Sequence, residues 1–139
     1  MKTVYDHITP YVTKDGSVIR ELVHPEKLAF TVKQSLAEAI VHPGKSTYLH
    51  IHNKSEEIYH ITAGKGIMTL DDEVFEIKKG DTVIVMPKSA HKVVNTGAKD
   101  LKILCCCCPA YSHDDTELQG DCPPGSDTLN KETKTDAET

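Results

Sequence analysis

Between residues 30 and 108 the sequence never runs far before a turn signal interrupts it. Strand-like segments fall at roughly 30–41, 46–52, 56–62, 66–70, 73–77, 82–86, 91–95 and 101–108. Between them stand Pro43-Gly44, Ala63-Gly64, Asp71-Asp72, Lys79-Gly80-Asp81, Pro87 and Thr96-Gly97. Short strands at close spacing, separated by residues that favour tight turns, predict an all-β sandwich or barrel. Residues 34–41 have some helical propensity, but Pro43-Gly44 stops them early and they are read as strand. Residues 1–30 read as mixed and irregular, with Asp15-Gly16 as a hairpin turn.

The 139 residues suffice for one domain with its own core, placed at 1–118 with the barrel at about 34–108. From about residue 119 the chain is rich in Gly, Pro, Thr, Asp, Glu and Lys, with too little apolar area to offset the entropy of ordering, so 119–139 is expected to be a disordered tail. No apolar run approaches the ~20 residues of a membrane span, and the N-terminus lacks the apolar stretch of a secretion signal. The net charge of −5, with Arg20 as the sole arginine, argues against nucleic acid as the main partner. Of five cysteines four are consecutive, Cys105 to Cys108, and alternate between faces of a strand, so they make a poor disulfide framework. A reducing cytoplasm is the expected compartment.

His50-Ile51-His52 places two imidazoles on one face of a strand, about 6.6 Å apart at their Cα atoms, where both can lean onto one ion. A turn at Asn53-Lys54-Ser55 brings the carboxylate of Glu57 beside them, and a closed barrel can bring in His91 from downstream. Glu56 rivals Glu57; strand parity sends one inward and the other out. Three imidazoles and a carboxylate suit Fe, Mn, Ni, Co, Cu or Zn and disfavour Ca and Mg. Four protein ligands on an octahedral ion leave two positions for water, oxygen or substrate.

The ordered spacing Gly44-x5-His50-x-His52-x4-Glu57-x6-Gly64, then Gly80-x6-Pro87-x3-His91-x3-Asn95, resembles the two-part signature of the cupin superfamily. The first part matches throughout. The second departs at Ser89, where glycine is more usual, and has one extra residue between Gly80 and Pro87. The resemblance implies a jelly-roll barrel with a central divalent transition metal held by His50, His52, Glu57 and His91, and it favours Glu57 over Glu56.

Other residues divide by parity. Tyr59 should share the cavity with Glu57, as a catalytic acid or hydrogen-bond donor or as a half-buried barrel tyrosine, and Tyr48 follows His50 in the same choice. His60 should face away. Glu38 and Gln34 are pocket candidates from the preceding strand, and Arg20 is one if it reaches the barrel mouth to clamp an anion. Met68, Met86, Val83 and Val85 read as core. His7, His24 and His42 sit beside loops and need no role. The segment around His113 is either a cap folded over the barrel or a connection packed outside it. Two of the four consecutive cysteines should face inward as small apolar residues.

The functional expectation is a cytoplasmic metalloenzyme acting on a small polar organic molecule, leaning to an oxygen-dependent dioxygenase. The alternatives are an isomerase, epimerase or lyase using the metal as a Lewis acid, for example on a sugar, and a non-catalytic metal- or ligand-binding module. A symmetric homodimer is expected, with residues 1–30 long enough to cross to a partner barrel.

Overall fold

A computed structural model of the chain describes residues 1–28 and 33–120. One 3-10 turn, Tyr5–His7, precedes a series of strands: β1 (Tyr11–Val12), β2 (Val18–Val23), β3 (Ser35–Val41), β4 (His50–His52), β5 (Glu56–Ala63), β6 (Lys65–Leu70), β7 (Glu73–Lys78), β8 (Thr82–Val85), β9 (His91–Asn95), β10 (Leu101–Cys108) and β11 (Thr116–Leu118). They make two antiparallel sheets, ordered β1-β2-β3-β10-β5-β8 and β11-β4-β9-β6-β7. Among the described residues no helix is long and apolar enough to cross a membrane.

Alternation along each strand decides what faces in. On β5, Glu57, Tyr59 and Ile61 are buried while Glu56, Ile58 and His60 are exposed. On β10, Leu101, Ile103, Cys105 and Cys107 are buried, and Cys108 is exposed. Ile61, Met68, Ile77, Val85, Val93, Leu101 and Ile103 fill the space between the sheets. Gly64 makes the β5–β6 turn at φ +82, and a Cβ there would stand 2.6 Å from the carbonyl oxygen of Asp100, so the signature glycine is needed for both backbone angle and room.

Several expectations change. The N-terminal region is not irregular throughout: beyond residue 10, Asp15-Gly16 turns a hairpin whose β1 pairs with β2, and β2 pairs with β3. The chain after β10 also returns, as β11 against β4. Met86 is 55% exposed rather than core, because it follows the buried Val85 and so falls on the same side as the exposed Ile84. Of the expected tail, 119–139, Gln119 donates its N–H to the Leu49 carbonyl at 2.7 Å, and residues 121–139 lie outside the described residues.

Candidate metal centre

Three strands deliver the site. His50 and His52 lie on the buried face of β4, His50 is the direct cross-strand partner of His91 on β9, and Glu57 opens the inner face of β5. The turn between β4 and β5 is held by Asp115, whose carboxylate accepts the backbone N–H groups of Lys54 and Ser55 at 3.0–3.1 Å. The departure at Ser89 is absorbed by Lys88, which adopts φ 68, while the Lys88 N–H donates to the His52 carbonyl at 2.7 Å.

Each imidazole is anchored through Nδ1. His50 Nδ1 donates to the Tyr48 carbonyl at 2.7 Å and His91 Nδ1 to the Ser89 carbonyl at 2.9 Å. His52 Nδ1 lies 3.0 Å from the hydroxyl of Thr116, whose own proton goes to the Ser112 carbonyl at 2.8 Å, so the hydroxyl accepts from His52. With every Nδ1 donating, each neutral ring presents an Nε2 lone pair to the cavity. Such anchoring fixes tautomer and ring orientation at metal sites.

The inward atoms are short of partners. His52 Nε2, His91 Nε2 and Glu57 Oε1 are buried without a hydrogen-bond partner. Oε1 stands 3.3 Å from His52 Nε2 and 3.5 Å from His91 Nε2. Lone pairs aimed at one another are costly unless a cation or a shared proton lies between them. Two ligand atoms each about 2.1 Å from one ion stand roughly 3.0 to 3.4 Å apart for right-angle to tetrahedral bonding, so these separations fit a shared ion. Ligand atoms of His50, His52 and His91 all lie within 4.8 Å of one another. The residues therefore fit a divalent transition metal.

The surroundings set the charges. Burial alone would push the Glu57 carboxyl up, but its contacts with His52 and His91 outweigh it and hold the group well below the usual carboxylate range. Burial would pull His52 down, yet Glu57, with Asp15 and Asp115 behind it, raises it above its ordinary value. Burial, with His91 close by, lowers His50 to about 4. The sign of each shift fixes the pH response of the metal-free protein. Between 6.5 and about 4 the unfolded chain binds a proton at His50 that the fold refuses, and below 4.5 the same holds for Glu57, so stability falls as pH drops. His52 acts oppositely, and its contribution is lost as pH rises above 6.5. Melting temperature against pH should peak near 6.5, and a curve still rising toward pH 4 would contradict these environments.

The cavity beside these ligands also holds Tyr59, whose ring is 5.8 Å from that of His91. Burial and the nearby Glu57 keep its phenol well above its ordinary value, so it is a proton donor near neutrality. Other expected pocket residues are elsewhere. On β3 the inner face is Ser35, Ala37, Ala39 and Val41, which puts Glu38 and Gln34 on the outer face; the parity assumed for that strand was off by one. Arg20 is on the outer face too, opposite Glu38, and both bond the Tyr5 hydroxyl. Tyr48 is buried under the hairpin, near Gly16, and is not part of the cavity wall. His60 faces out, bonded to Thr82. His113 is exposed and bonds the Tyr111 hydroxyl.

Several wall residues carry no sequence signal for the cavity, among them Asp15, Cys107, Tyr111 and Thr116. Asp15 places Oδ2 3.7 Å from His50 Nε2 while Oδ1 accepts Ser17; the turn was legible but not its destination. Cys107 donates its thiol to Glu57 Oε2 at 2.8 Å, and burial beside that carboxylate keeps it protonated. Tyr111 and Thr116 enter from the returning C-terminal segment, which carries no spacing signal.

The Cupin domain family matches residues 37–107, half of the chain. The chain belongs to the cupin family. A protein of Methanocaldococcus jannaschii without an assigned function is 61% identical to this cupin over 118 residues, 85% of this chain and 94% of that one. Among solved structures, a predicted oxalate decarboxylase of Thermotoga maritima is 28% identical with TM-score 0.67, over 78% of this chain and 99% of that one. Pac13, described as a nucleoside dehydratase, has TM-score 0.69 at 14% identity over 89% of this chain and 98% of that one, and shows the fold alone.

Proposed function

We propose that this cupin is a metalloenzyme in which His50, His52, His91 and Glu57 hold one divalent transition metal that acts as a Lewis acid on a small organic molecule. The observation that carries the reading is the convergence of buried, partnerless Nε2 and carboxylate atoms on one point. Bound there, the ion would polarise a substrate oxygen and stabilise developing negative charge. The chain's own residues do the rest. Glu57 is steadied by the Cys107 thiol, Tyr59 offers a proton from its phenol, and the apolar wall of Ile19, Val41, Val93 and Ile103 limits water.

A non-oxidative lyase or isomerase is favoured over the dioxygenase first expected. Cys105 and Cys107 line the cavity as free thiols, and Cys107 touches a ligand, so an activated oxygen species would meet an oxidisable sulfur beside it. The name of the Thermotoga maritima relative, a predicted oxalate decarboxylase, agrees with that choice. The test is turnover of a panel of small hydroxy and carboxylic acids by protein loaded with Zn under argon. Conversion without oxygen supports the lyase reading. Oxygen uptake by Fe-loaded protein, dependent on the same substrate, would favour the dioxygenase instead.

Two expectations about assembly and extent stand as proposals. On the outer face of the larger sheet Leu36, Cys106, Ile58 and Ile84 are cross-strand partners in one row, with Ile58 and Ile84 45% and 64% exposed. A symmetric homodimer through this face would bury them, and light scattering should give twice the chain mass, falling to one with Ile84→Lys. Cutting after Gln119 should leave melting temperature and metal content unchanged within a few degrees and a tenth of an equivalent; a larger loss would show that the removed residues pack.

A further inference from the structure

The inner face of β2 carries a second buried carboxyl that the metal does not use. Glu21 is 7% exposed and lines the same cavity as His50, His52 and Glu57. Its Oε1 accepts the Tyr11 hydroxyl at 2.6 Å, and its Oε2 has no hydrogen-bond partner among the described residues. An acceptor buried without a donor is costly, so one kept in a ligand cavity points to a donor brought from outside.

The sheet shows how that donor would be reached. Glu21, Ala37, Cys105 and Tyr59 are successive cross-strand partners and form one inward row. Glu57 lies one row along, two residues before Tyr59 on β5. Between Glu21 and Cys105 only the methyl of Ala37 intervenes, and between Ile19 and Ile103 only that of Ala39, so a trench runs from the imidazoles to Glu21. Its acids are Asp15, Glu21 and Glu57, and no Lys or Arg lines it. Lys14 is engaged by the carbonyls of His113 and Thr116, and Arg20 is on the outer face. The space open to the centres of water-sized molecules is about 40 Å³, more than one water requires, so the cavity admits a short ligand.

We propose that Glu21 is the distal anchor of the substrate, and that the substrate is a small molecule with an oxygen donor at its metal-binding end and an ammonium or other strong N–H donor at the other. This rests on the metal reading above. A dianion would meet Glu21 as like charge against like and find no cation beyond the metal. An ammonium satisfies Oε2 and is the better matched for being buried beside a carboxylate.

The test separates the two claims. Co(II)-loaded protein is titrated with the hydroxamates of glycine, β-alanine and 4-aminobutyric acid, each against its amine-free counterpart of acetic, propionic or butyric acid. Binding is read from the visible cobalt spectrum and by calorimetry. At least one aminated member should bind about tenfold tighter than its counterpart. Glu21→Gln should erase that ratio while keeping the affinity of the amine-free series and the cobalt spectrum. Tyr11→Phe, which removes the hydroxyl but leaves Oε2, should retain the ratio and serves as the control for local packing. Cobalt binding with equal affinities in both series, or a ratio that survives Glu21→Gln, overturns the anchor alone. Failure to bind cobalt overturns the metal reading and the anchor with it.

Discussion

His91→Ala should cut metal affinity by at least about tenfold and remove at least about a third of the thermal stabilisation that metal confers. His91 is fully buried, and its Nε2 is aimed at Glu57 Oε1 from 3.5 Å. Loss of one of four bonds leaves the ion held by the β4 pair and Glu57. A metal present at a thousand times its dissociation constant stabilises the fold by about 4 kcal/mol, which for a domain of this size raises the melting temperature by roughly 10–15 °C. The wild-type protein should show that rise on loading with Zn or Co(II), and His91→Ala should show a rise at least about a third smaller at the same metal concentration. His50→Ala and His52→Ala should behave alike. His60→Ala is the control, since its ring bonds Thr82 on the exposed side of β5. Differential scanning calorimetry with and without metal reads the difference, and an equal loss from His60→Ala would mean that the strand faces are inverted.

Glu57→Gln set against Glu56→Gln should give the second large effect. Glutamine keeps the size of Glu57 and removes its charge. Its carbonyl can still accept the Cys107 thiol and its amide can donate to His52 Nε2, so the fold should survive. That same donation occupies the lone pair a metal needs. Affinity should fall about a hundredfold or more, because a charged ligand is lost and the remaining set must release a hydrogen bond. Glu56 is exposed, and its change to Gln should cost no more than a rim interaction of ~0–1 kcal/mol. Metal content is measured after identical chelation and reloading. Retention by Glu57→Gln with loss from Glu56→Gln would move the carboxylate ligand to the other residue and take Tyr59 out of the cavity with it.

The parts of this molecule that the sequence disclosed are those with a local rule behind them. His50 and His52 show through the two-residue period of a strand; the same parity allows only one of Glu56 and Glu57 inside, and the cupin spacing favours Glu57. The cupin spacing then joins His91, which no local rule connects to β4. Where the chain gave no anchor for register, parity failed. On β3 there is no residue of known facing, so the sequence offers Gln34 and Glu38 as pocket candidates, whereas the cavity side of the strand is the small residues Ser35, Ala37 and Ala39. Asp15, Glu21 and Tyr111 were invisible for another reason. Each reaches the cavity through long-range pairing, β2 on β3 or the return of the chain after β10 to β4, and tertiary placement of that kind leaves no periodic mark in the sequence. Cys107 faces in as its parity requires, but its bond to Glu57 follows from the register of β10 on β5.

The central claim is that one ion sits among His50, His52, His91 and Glu57, and anomalous diffraction from a crystal of cobalt-loaded protein tests it most directly. The account predicts a single strong peak per chain, about 2.0–2.2 Å from the Nε2 atoms of the three histidines and from a Glu57 oxygen. A peak on other residues, or none at saturating cobalt in solution with the four side chains still converging, would contradict it.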